Sequence, residues 1–201
     1  TKRSIVFAPI RFGGCGFTHL YLLQGEGQII QFLSHWRTQT PCGNLLRISV
    51  SWVQLHLGVS WFFLADTDSP LPHFPGRWLK SLSKFLSKIG GSLEVDNFFL
   101  PPIQRLHDVY IMDLVLHTSC FTNKEIQVIN YCRLYLQAVT MADICLTDGV
   151  TLDPDLLADN ITATSSKSQW IHINQSRPVE SSWRLWRQAC PHWNCLLYPS
   201  Y

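Results

Sequence analysis

Apolar residues recur at three- and four-residue intervals along most of this chain, in segments that end at glycine or proline. The first segment places them at Leu20, Leu23, Ile30 and Leu33. The second places them at Leu45, Ile48, Trp52, Leu55 and Val59. This is the period of an amphipathic α-helix, so we expect these side chains to face a core.

Glycine, proline and capping residues divide the chain into helices. Pro41-Cys42-Gly43 is expected to end the first helix, and Gly90-Gly91 the third. Thr122 and Glu125 form the capping box of the helix predicted over 123–139. The predicted helices span residues 20–37, 44–58, 77–89, 103–117, 123–139 and 179–189. We therefore expect a mainly α fold: an irregular helical bundle of about six helices, with short extended segments and Pro-rich connections.

The composition favours an ordered protein with some of its aromatic side chains in contact with a partner. Charged residues make up 15% of the 201 residues, below the average of about 25%, which excludes a largely disordered chain. Aromatic residues make up 12%, more than a small core needs. The net charge is only +2, but basic residues gather at 77–88 and 177–187.

The seven cysteines lack the spacing of a disulfide framework. We expect free thiols, buried where they lie in or beside apolar runs, at Cys15, Cys42, Cys120, Cys132 and Cys145. The first twenty residues also lack the apolar region of a signal peptide. Both features predict an intracellular protein of the cytoplasm or nucleus. An aromatic tail is favoured over a zinc site at Cys190, His192 and Cys195, because no matching pair of ligands follows.

Residues 45–65 are long enough to span a membrane. Arg47, Gln54 and His56 interrupt this run, and each is costly near the centre of a bilayer. The favoured interpretation is a buried helix with no membrane partner, and a membrane-associated protein is the alternative.

Gly13, Gly14 and Gly16 precede the first long helix, where a phosphate cradle often lies. Their spacing fits neither a phosphate loop nor a dinucleotide fingerprint, so a structural turn is favoured. Asp66 and Asp68 are expected to be turn residues. No nucleophile elbow, metalloprotease, kinase or calcium-loop motif occurs. We therefore expect no catalytic residue, metal, cofactor or small-molecule substrate.

The helix over 77–89 carries a basic stripe about 16 Å long, within an arc of about 80°. The stripe comprises Arg77, Lys80, Lys84 and Lys88, and apolar residues lie opposite. Such a stripe suits successive phosphates of a nucleic acid, and a solvated helix face is the alternative. A second candidate group mixes aromatic and cationic side chains that could stack on bases or close the core: Trp183, Arg184, Trp186 and Arg187.

Residues 8–37, APIRFGGCGFTHLYLLQGEGQIIQFLSHWR, resemble the segment that follows the polymerase palm in reverse transcriptases of eukaryotic non-LTR retroelements. In that family a P…GGLG turn leads into a helix with an apolar and Gln pattern. This chain matches it at Pro9, Gly13, Gly14, Gly16, Leu20, Gln24, Gln31 and Arg37. Cys15 stands where Leu is usual. The resemblance continues through LPHFPGRWLKSLSKFLSKIGGSLEV, HDVYIMD, INYCRLYLQAVTMADICLTDG and INQSRPVESSWRLWR, and covers most of residues 7–188.

The resemblance implies that the chain is the C-terminal region of a retrotransposon RNA-directed DNA polymerase, comprising the thumb and the segment downstream of it. It implies two partners, the template–primer nucleic acid and the upstream palm domain. We divide the chain into a thumb-like glycine turn and helix at 1–40, a helical body at 41–165, and a C-terminal loop, helix and aromatic tail at 166–201.

The Tyr-x-Asp-Asp turn that carries the catalytic carboxylates of this family occurs nowhere in the chain. We identify no RNase H carboxylate set either, so we expect no polymerase activity from the chain alone. Three hypotheses remain open: a non-catalytic reverse transcriptase region that contacts nucleic acid, a helical protein-interaction domain without a nucleic-acid role, or a membrane-associated protein.

Overall fold

The computed structural model describes residues 2–118, 120–156 and 176–197, with side chains up to Cys190 in the last range. The predicted domain boundary at 165 lies outside these residues, and so does most of the loop predicted to begin the C-terminal part. The division of the chain into three parts therefore stays a prediction.

The described chain is mainly helical, as predicted. Its seven α-helices are α1 (Arg3–Phe7), α2 (Leu20–Arg37), α3 (Pro41–Leu57), α4 (Trp78–Ile89), α5 (Ile111–His117), α6 (Asn123–Leu136) and α7 (Glu180–Leu197). Short 3₁₀ turns lie at Ile10–Phe12, Met141–Ile144 and Pro154–Leu156. The described residues form no β-strand, only isolated bridges between Tyr110 and Thr140 and between Cys145 and Leu152.

The main hydrophobic core of the described residues lies between α3, α4, α5, α6 and α7, and a smaller buried cluster joins Leu55, Tyr110 and Val139. Each helix contributes a fully buried side chain, among them Leu57, Leu82, Ile111, Ile129 and Trp186. The segment after α3 adds Phe63 and Leu64, which are fully buried too. Helix α2 packs against α3 and α4 and adds the fully buried Phe32 to this core, and α7 packs against α6.

Capping residues set the helix ends that the sequence predicted best. The Thr122 hydroxyl accepts from the Glu125 amide at 3.4 Å, and the Glu125 carboxylate accepts from the Thr122 amide at 2.7 Å. The predicted capping box is therefore confirmed. Gly90 ends α4 in the left-handed conformation, with φ 63°, also as predicted.

Pro41-Cys42-Gly43 begins α3, so the prediction that it ends α2 was wrong. Thr40 is the N-cap, and its hydroxyl accepts from the Gly43 amide at 3.1 Å. Proline suits the first turn of a helix because its missing N–H has no partner there anyway.

Residues 103–110 are not helical, so the predicted helix over 103–117 was wrong in its first half. The Asp108 carboxylate accepts from the amides of Gln104, Val109 and Ala142 at 3.0–3.2 Å. The Met141 amide also donates to the Val109 carbonyl at 2.9 Å. These contacts replace the hydrogen bonds of a helix and pair the segment with residues 139–142.

The predicted inward faces of α2 and α3 were largely wrong. Leu20 and Ile30 are 80% and 60% exposed, and Leu45 and Ile48 are 63% and 64% exposed. Leu23 and Trp52 are exposed too. The buried positions of these helices include Gly25 and Phe32 in α2 and Val50, Val53 and Leu57 in α3. The rest of the predicted inward set is correct, because Leu55 and Val59 are 7% and 0% exposed and Leu33 is half-buried. The exposed members form a second, outer apolar stripe on each helix.

The buried Arg133 joins the ends of α3 and α6. Its guanidinium donates to the carbonyls of Leu55 at 3.2 Å, His56 at 2.7 Å and Ala138 at 3.0 Å, and to the Asn130 side chain at 2.9 Å. The first two carbonyls belong to the last turn of α3, where a cation is favourable. Arg133, a residue of α6, therefore donates hydrogen bonds to the terminal carbonyls of α3.

The six cysteines that the structure describes are unpaired. Cys132 and Cys190 are buried, as is typical of a small apolar side chain. Cys15, Cys42 and Cys120 are exposed, so the expectation that they are buried was wrong. These cysteines lie near helix ends and turns. There, an apolar run in the neighbouring sequence does not determine whether the cysteine side chain faces the core or the solvent.

Residues 45–65 do not form one helix. Helix α3 ends at Leu57, Gly58 caps it, and Phe62, Phe63 and Leu64 turn back into the core. Among the described helices, none combines the length and the apolar character needed to cross a bilayer.

Candidate nucleic-acid interface

Helix α4 is strongly amphipathic, which fixes the direction of its basic stripe. Leu79, Leu82, Phe85 and Leu86 are buried and hold the helix on the core. The stripe lies opposite: Arg77, Lys84 and Lys88 are exposed and Lys80 is half-buried. The sequence-predicted residues therefore do share one outer face.

The stripe has no carboxylate partner in the described part of the chain. No Asp or Glu occurs between Asp68 and Glu94 in the sequence, and none of the four cations makes an ion pair within the described residues. Lys80, Lys84 and Lys88 follow one another at four-residue spacing, at which like charges destabilise a helix by about 0.2–0.5 kcal/mol per pair. An ordinary solvated helix face mixes both signs, so this one is unusual.

The loop of residues 67–76 lies alongside α4 and runs antiparallel to it. At one end, the Thr67 hydroxyl donates to the Gly91 carbonyl at 3.0 Å, just beyond the C-terminal end of α4. At the other end, the Lys80 ammonium donates to the Phe74 carbonyl at 3.2 Å, one turn inside the N-terminal end. Loop and helix enclose a cleft of about 880 Å³, lined by all four cations.

The loop wall is ordered by its own acidic turn. The Asp66 carboxylate accepts from the amides of Asp68 and Ser69, both at 3.1 Å, and from the Ser69 hydroxyl at 2.5 Å. These hydrogen bonds, that of the Ser69 hydroxyl above all, lower the pKa of Asp66. Asp66 is therefore a turn residue, and Asp68 is left exposed at the edge of the cleft.

Helix α2 closes one end of the cleft through Tyr21. The Lys88 ammonium lies 4.9 Å from the centre of the Tyr21 ring, which also contacts Phe85 edge-on at 5.4 Å. One turn further along α2, a methyl group at Gly25 would overlap the ring of Phe85. A glycine here therefore lets α2 approach α4 closely enough to place Tyr21 at the cleft.

The second candidate group is divided between core and surface. Trp183 and Trp186 are 1% and 0% exposed, and Trp183 contacts the Tyr135 ring of α6 edge-on at 5.7 Å. They close the core, the second of the two roles that the sequence left open, and offer no ring face to a base. Arg184 is exposed, while Arg187 is paired with Glu180.

The glycine turn directs its amides towards α1 and its flanking residues. Gly14 donates to the Pro9 carbonyl at 3.3 Å, Cys15 to Ile5 at 2.9 Å and Gly16 to Ala8 at 3.0 Å. Gly13 and Gly16 have φ of 76° and 68°, and a side chain on Gly14 would overlap Ala8. These amides are already bonded, so the segment has the geometry of a packing turn and not of a phosphate cradle.

The conspicuous carboxylates of the helical body are also occupied by backbone amides. Asp143 accepts from Val139 at 2.7 Å and Thr140 at 3.0 Å, and Asp113 accepts from Ser60 at 3.1 Å. The described residues contain no cluster of three His, Cys, Asp or Glu side chains able to hold a metal. The side chains of His192 and Cys195 lie outside the described residues.

Two histidines, the half-buried His56 and the buried His73, lie near Arg133. Burial, and secondarily the charge of Arg133, lowers the pKa of His56 to about 4. Burial likewise lowers the pKa of His73 to about 4, although its Nε2 is hydrogen-bonded to the Leu57 carbonyl at 3.0 Å. At neutral pH both rings are uncharged, so they add no charge to the basic stripe.

Comparison of the chain with models of known protein families, with curated proteins and with solved structures finds no match. The candidate interface therefore rests on its own residues. Sequence reasoning identified the helix wall of the cleft but missed the loop wall. The Pro-rich composition of residues 66–76 indicates a connection, and no sequence period shows that it lies along α4.

Proposed function

We propose that this chain is the non-catalytic C-terminal region of a retrotransposon reverse transcriptase and that it contacts nucleic acid through α4. The resemblance of residues 7–188 to the region after the palm supplies the parent activity, RNA-directed DNA synthesis. Its partners are then the template–primer and the upstream palm domain.

The observation that carries the nucleic-acid role is the unpaired basic stripe. Four cations share one face about 16 Å long, in a stretch of sequence without any carboxylate. Polyanion binding relieves the repulsion between them and releases counterions from the phosphates. Binding through such contacts is independent of sequence and sensitive to salt.

A charge reversal within the stripe tests this role. Lys84→Glu should weaken binding of a short labelled DNA by about tenfold at low salt, measured by fluorescence anisotropy. Arg3→Glu makes the same charge change on the exposed surface of α1 and should have a much smaller effect. Equal losses for the two variants would refute the assignment of binding to α4.

The absence of the catalytic turn gives a second test. Two-metal phosphoryl transfer needs carboxylates that anchor the ions, and the chain has no Tyr-x-Asp-Asp sequence. Homogeneous protein should therefore extend no primer with any template or divalent metal. Metal-dependent extension would contradict the non-catalytic assignment.

A protein-interaction role is the second candidate, and the outer stripe of α3 favours it. Leu45, Ile48 and Trp52 follow one another at helical spacing, and all three are exposed. Exposed apolar groups in a row are typical of a contact surface. If this stripe is the functional surface, changing all three residues to Ser should abolish the recovery of a protein partner in a pull-down with the chain. Lys84→Glu should leave that recovery unchanged. The opposite pattern favours the nucleic-acid role.

A further inference from the structure

The two walls of the cleft along α4 differ in chemistry. The helix wall presents the four cations of the stripe together with the hydroxyls of Ser81, Ser83 and Ser87. The loop wall presents Pro70 and Leu71 together with one carboxylate, that of Asp68. Thr67 and Ser69 also line this wall, but their hydroxyls donate to the Gly91 carbonyl and the Asp66 carboxylate. One side of the cleft is therefore suited to anions and the other to apolar ring faces.

A single strand of nucleic acid has this same division. Its phosphates run along one edge, and its unpaired bases are free to lie against an apolar wall. A duplex stacks its base faces against one another and exposes only backbone and base edges, so it has no free ring face to lay against the loop wall. The asymmetry of the cleft is therefore suited to a single strand.

The dimensions of the cleft agree with this division. Its volume of about 880 Å³ falls within the range of roughly 300–1,000 Å³ that holds small organic ligands. A few nucleotides of one strand fit such a space. The hydrogen bonds from Thr67 to Gly91 and from Lys80 to Phe74 fix the loop against α4 at both ends without a ligand, which reduces the cost of ordering on binding.

Resting on the proposed function, we propose that the cleft between α4 and residues 67–76 binds single-stranded nucleic acid in preference to a duplex. The phosphates lie along Arg77, Lys80, Lys84 and Lys88, and the bases lie against Pro70 and Leu71. Asp68 then faces the backbone across the cleft and weakens binding by like-charge repulsion.

The test compares a short labelled single-stranded DNA with the duplex that it forms with its complement, by anisotropy at low salt. The wild-type protein should bind the single strand about tenfold more tightly. Asp68→Asn should raise single-strand affinity about two- to fivefold. Asp96→Asn is the matched control, because Asp96 is equally exposed and does not line this cleft. Leu71→Ser should lower single-strand affinity and leave duplex affinity unchanged.

The outcomes separate the two proposals. Equal affinity for both DNAs, with Asp68→Asn no different from Asp96→Asn, would overturn the single-strand cleft. If Lys84→Glu still weakened binding in that case, the proposed function would survive with the strand on the outer side of α4. If Lys84→Glu also left DNA binding unchanged, both proposals would be overturned.

Discussion

Gly25 and Gly27 lie two residues apart in α2 and have opposite surroundings. A methyl group at Gly25 would overlap Phe85, whereas one at Gly27 would meet no atom within 4 Å. Gly25→Ala should therefore lower the free energy of unfolding by about 1–3 kcal/mol, as overpacking does. Gly27→Ala should raise it by about 0.5–1 kcal/mol, because alanine is the better helix former. Urea denaturation of the two variants measures both effects.

The two glycine variants also test where α2 packs against α4. If Gly25→Ala stabilised the protein as much as Gly27→Ala, α2 would not cross α4 at Phe85. Tyr21 would then lose its place at the end of the cleft. Phe85→Leu combined with Gly25→Ala should recover part of the lost stability, because the smaller side chain makes room for the methyl group.

His56 and His73 make stability depend on pH. Both have a pKa of about 4 in the folded protein, against about 6.5 in an unfolded chain. Between these values the unfolded state binds more protons, so stability is complete above about pH 6.5 and falls as the pH drops towards 4. The buried His73 should contribute a loss of about 3 kcal/mol over this window, and the half-buried His56 a smaller one because solvent screens its charge.

Glutamine at both positions removes the titration and keeps a donor for the Leu57 carbonyl. The unfolding free energy of the His56→Gln, His73→Gln variant should vary much less between pH 6.5 and 4 than that of the wild-type protein. Subtracting the two profiles cancels the other titrating groups, among them Asp113, whose pKa is raised by burial. Parallel profiles would show that the histidines are not buried beside Arg133.

At the scale of elements, Arg133 is the contact that joins α3 to α6. Arg133→Met should lower the free energy of unfolding by about 3–5 kcal/mol, because it leaves three buried carbonyls without a donor. Arg184→Met makes the same replacement on the surface of α7 and should cost less than about 0.5 kcal/mol. Similar costs for the two variants would contradict the buried position of Arg133.

Helix ends were predictable where a local device sets them. The Thr122–Glu125 capping box and the glycine after Ile89 act within a few residues of sequence, so their effect is visible without a structure. The start of α5 was not predictable, because Asp108 binds the Ala142 amide from a part of the chain 34 residues away. Non-local hydrogen bonds of this kind override a continuing apolar pattern.

The choice of buried face was also non-local. Periodicity shows that α2 has apolar stripes, but both Leu20 and Phe32 belong to plausible ones. The buried Phe32 follows Gly25 by two helical turns on the same face of α2, and at Gly25 this face approaches α4. The sequence marks Gly25 only as a weak helix former. The close contact on this face is therefore made by a residue without a side chain, which a hydrophobic pattern does not reveal.

At the scale of the whole molecule, the sequence predicted one wall of the candidate site. The basic stripe of α4 follows from residue spacing, because a helix places every fourth residue on one side. The opposite wall follows from two hydrogen bonds that fold residues 67–76 back along α4. Trp183 and Trp186 show the reverse case, since their composition suits base stacking but their packing against α6 buries them.

The salt dependence of DNA binding tests the central claim, that α4 neutralises a phosphate backbone. On a single strand each neutralised phosphate contributes about 0.7 to the slope of log affinity against log salt. Changing Lys80, Lys84 and Lys88 to Gln should therefore lower the slope by about two units, with an unchanged circular dichroism spectrum. The control variant, with Lys2, Arg3 and Arg11 changed to Gln, loses the same charge and should keep the wild-type slope. A wild-type slope in the well-folded α4 variant would contradict the claim.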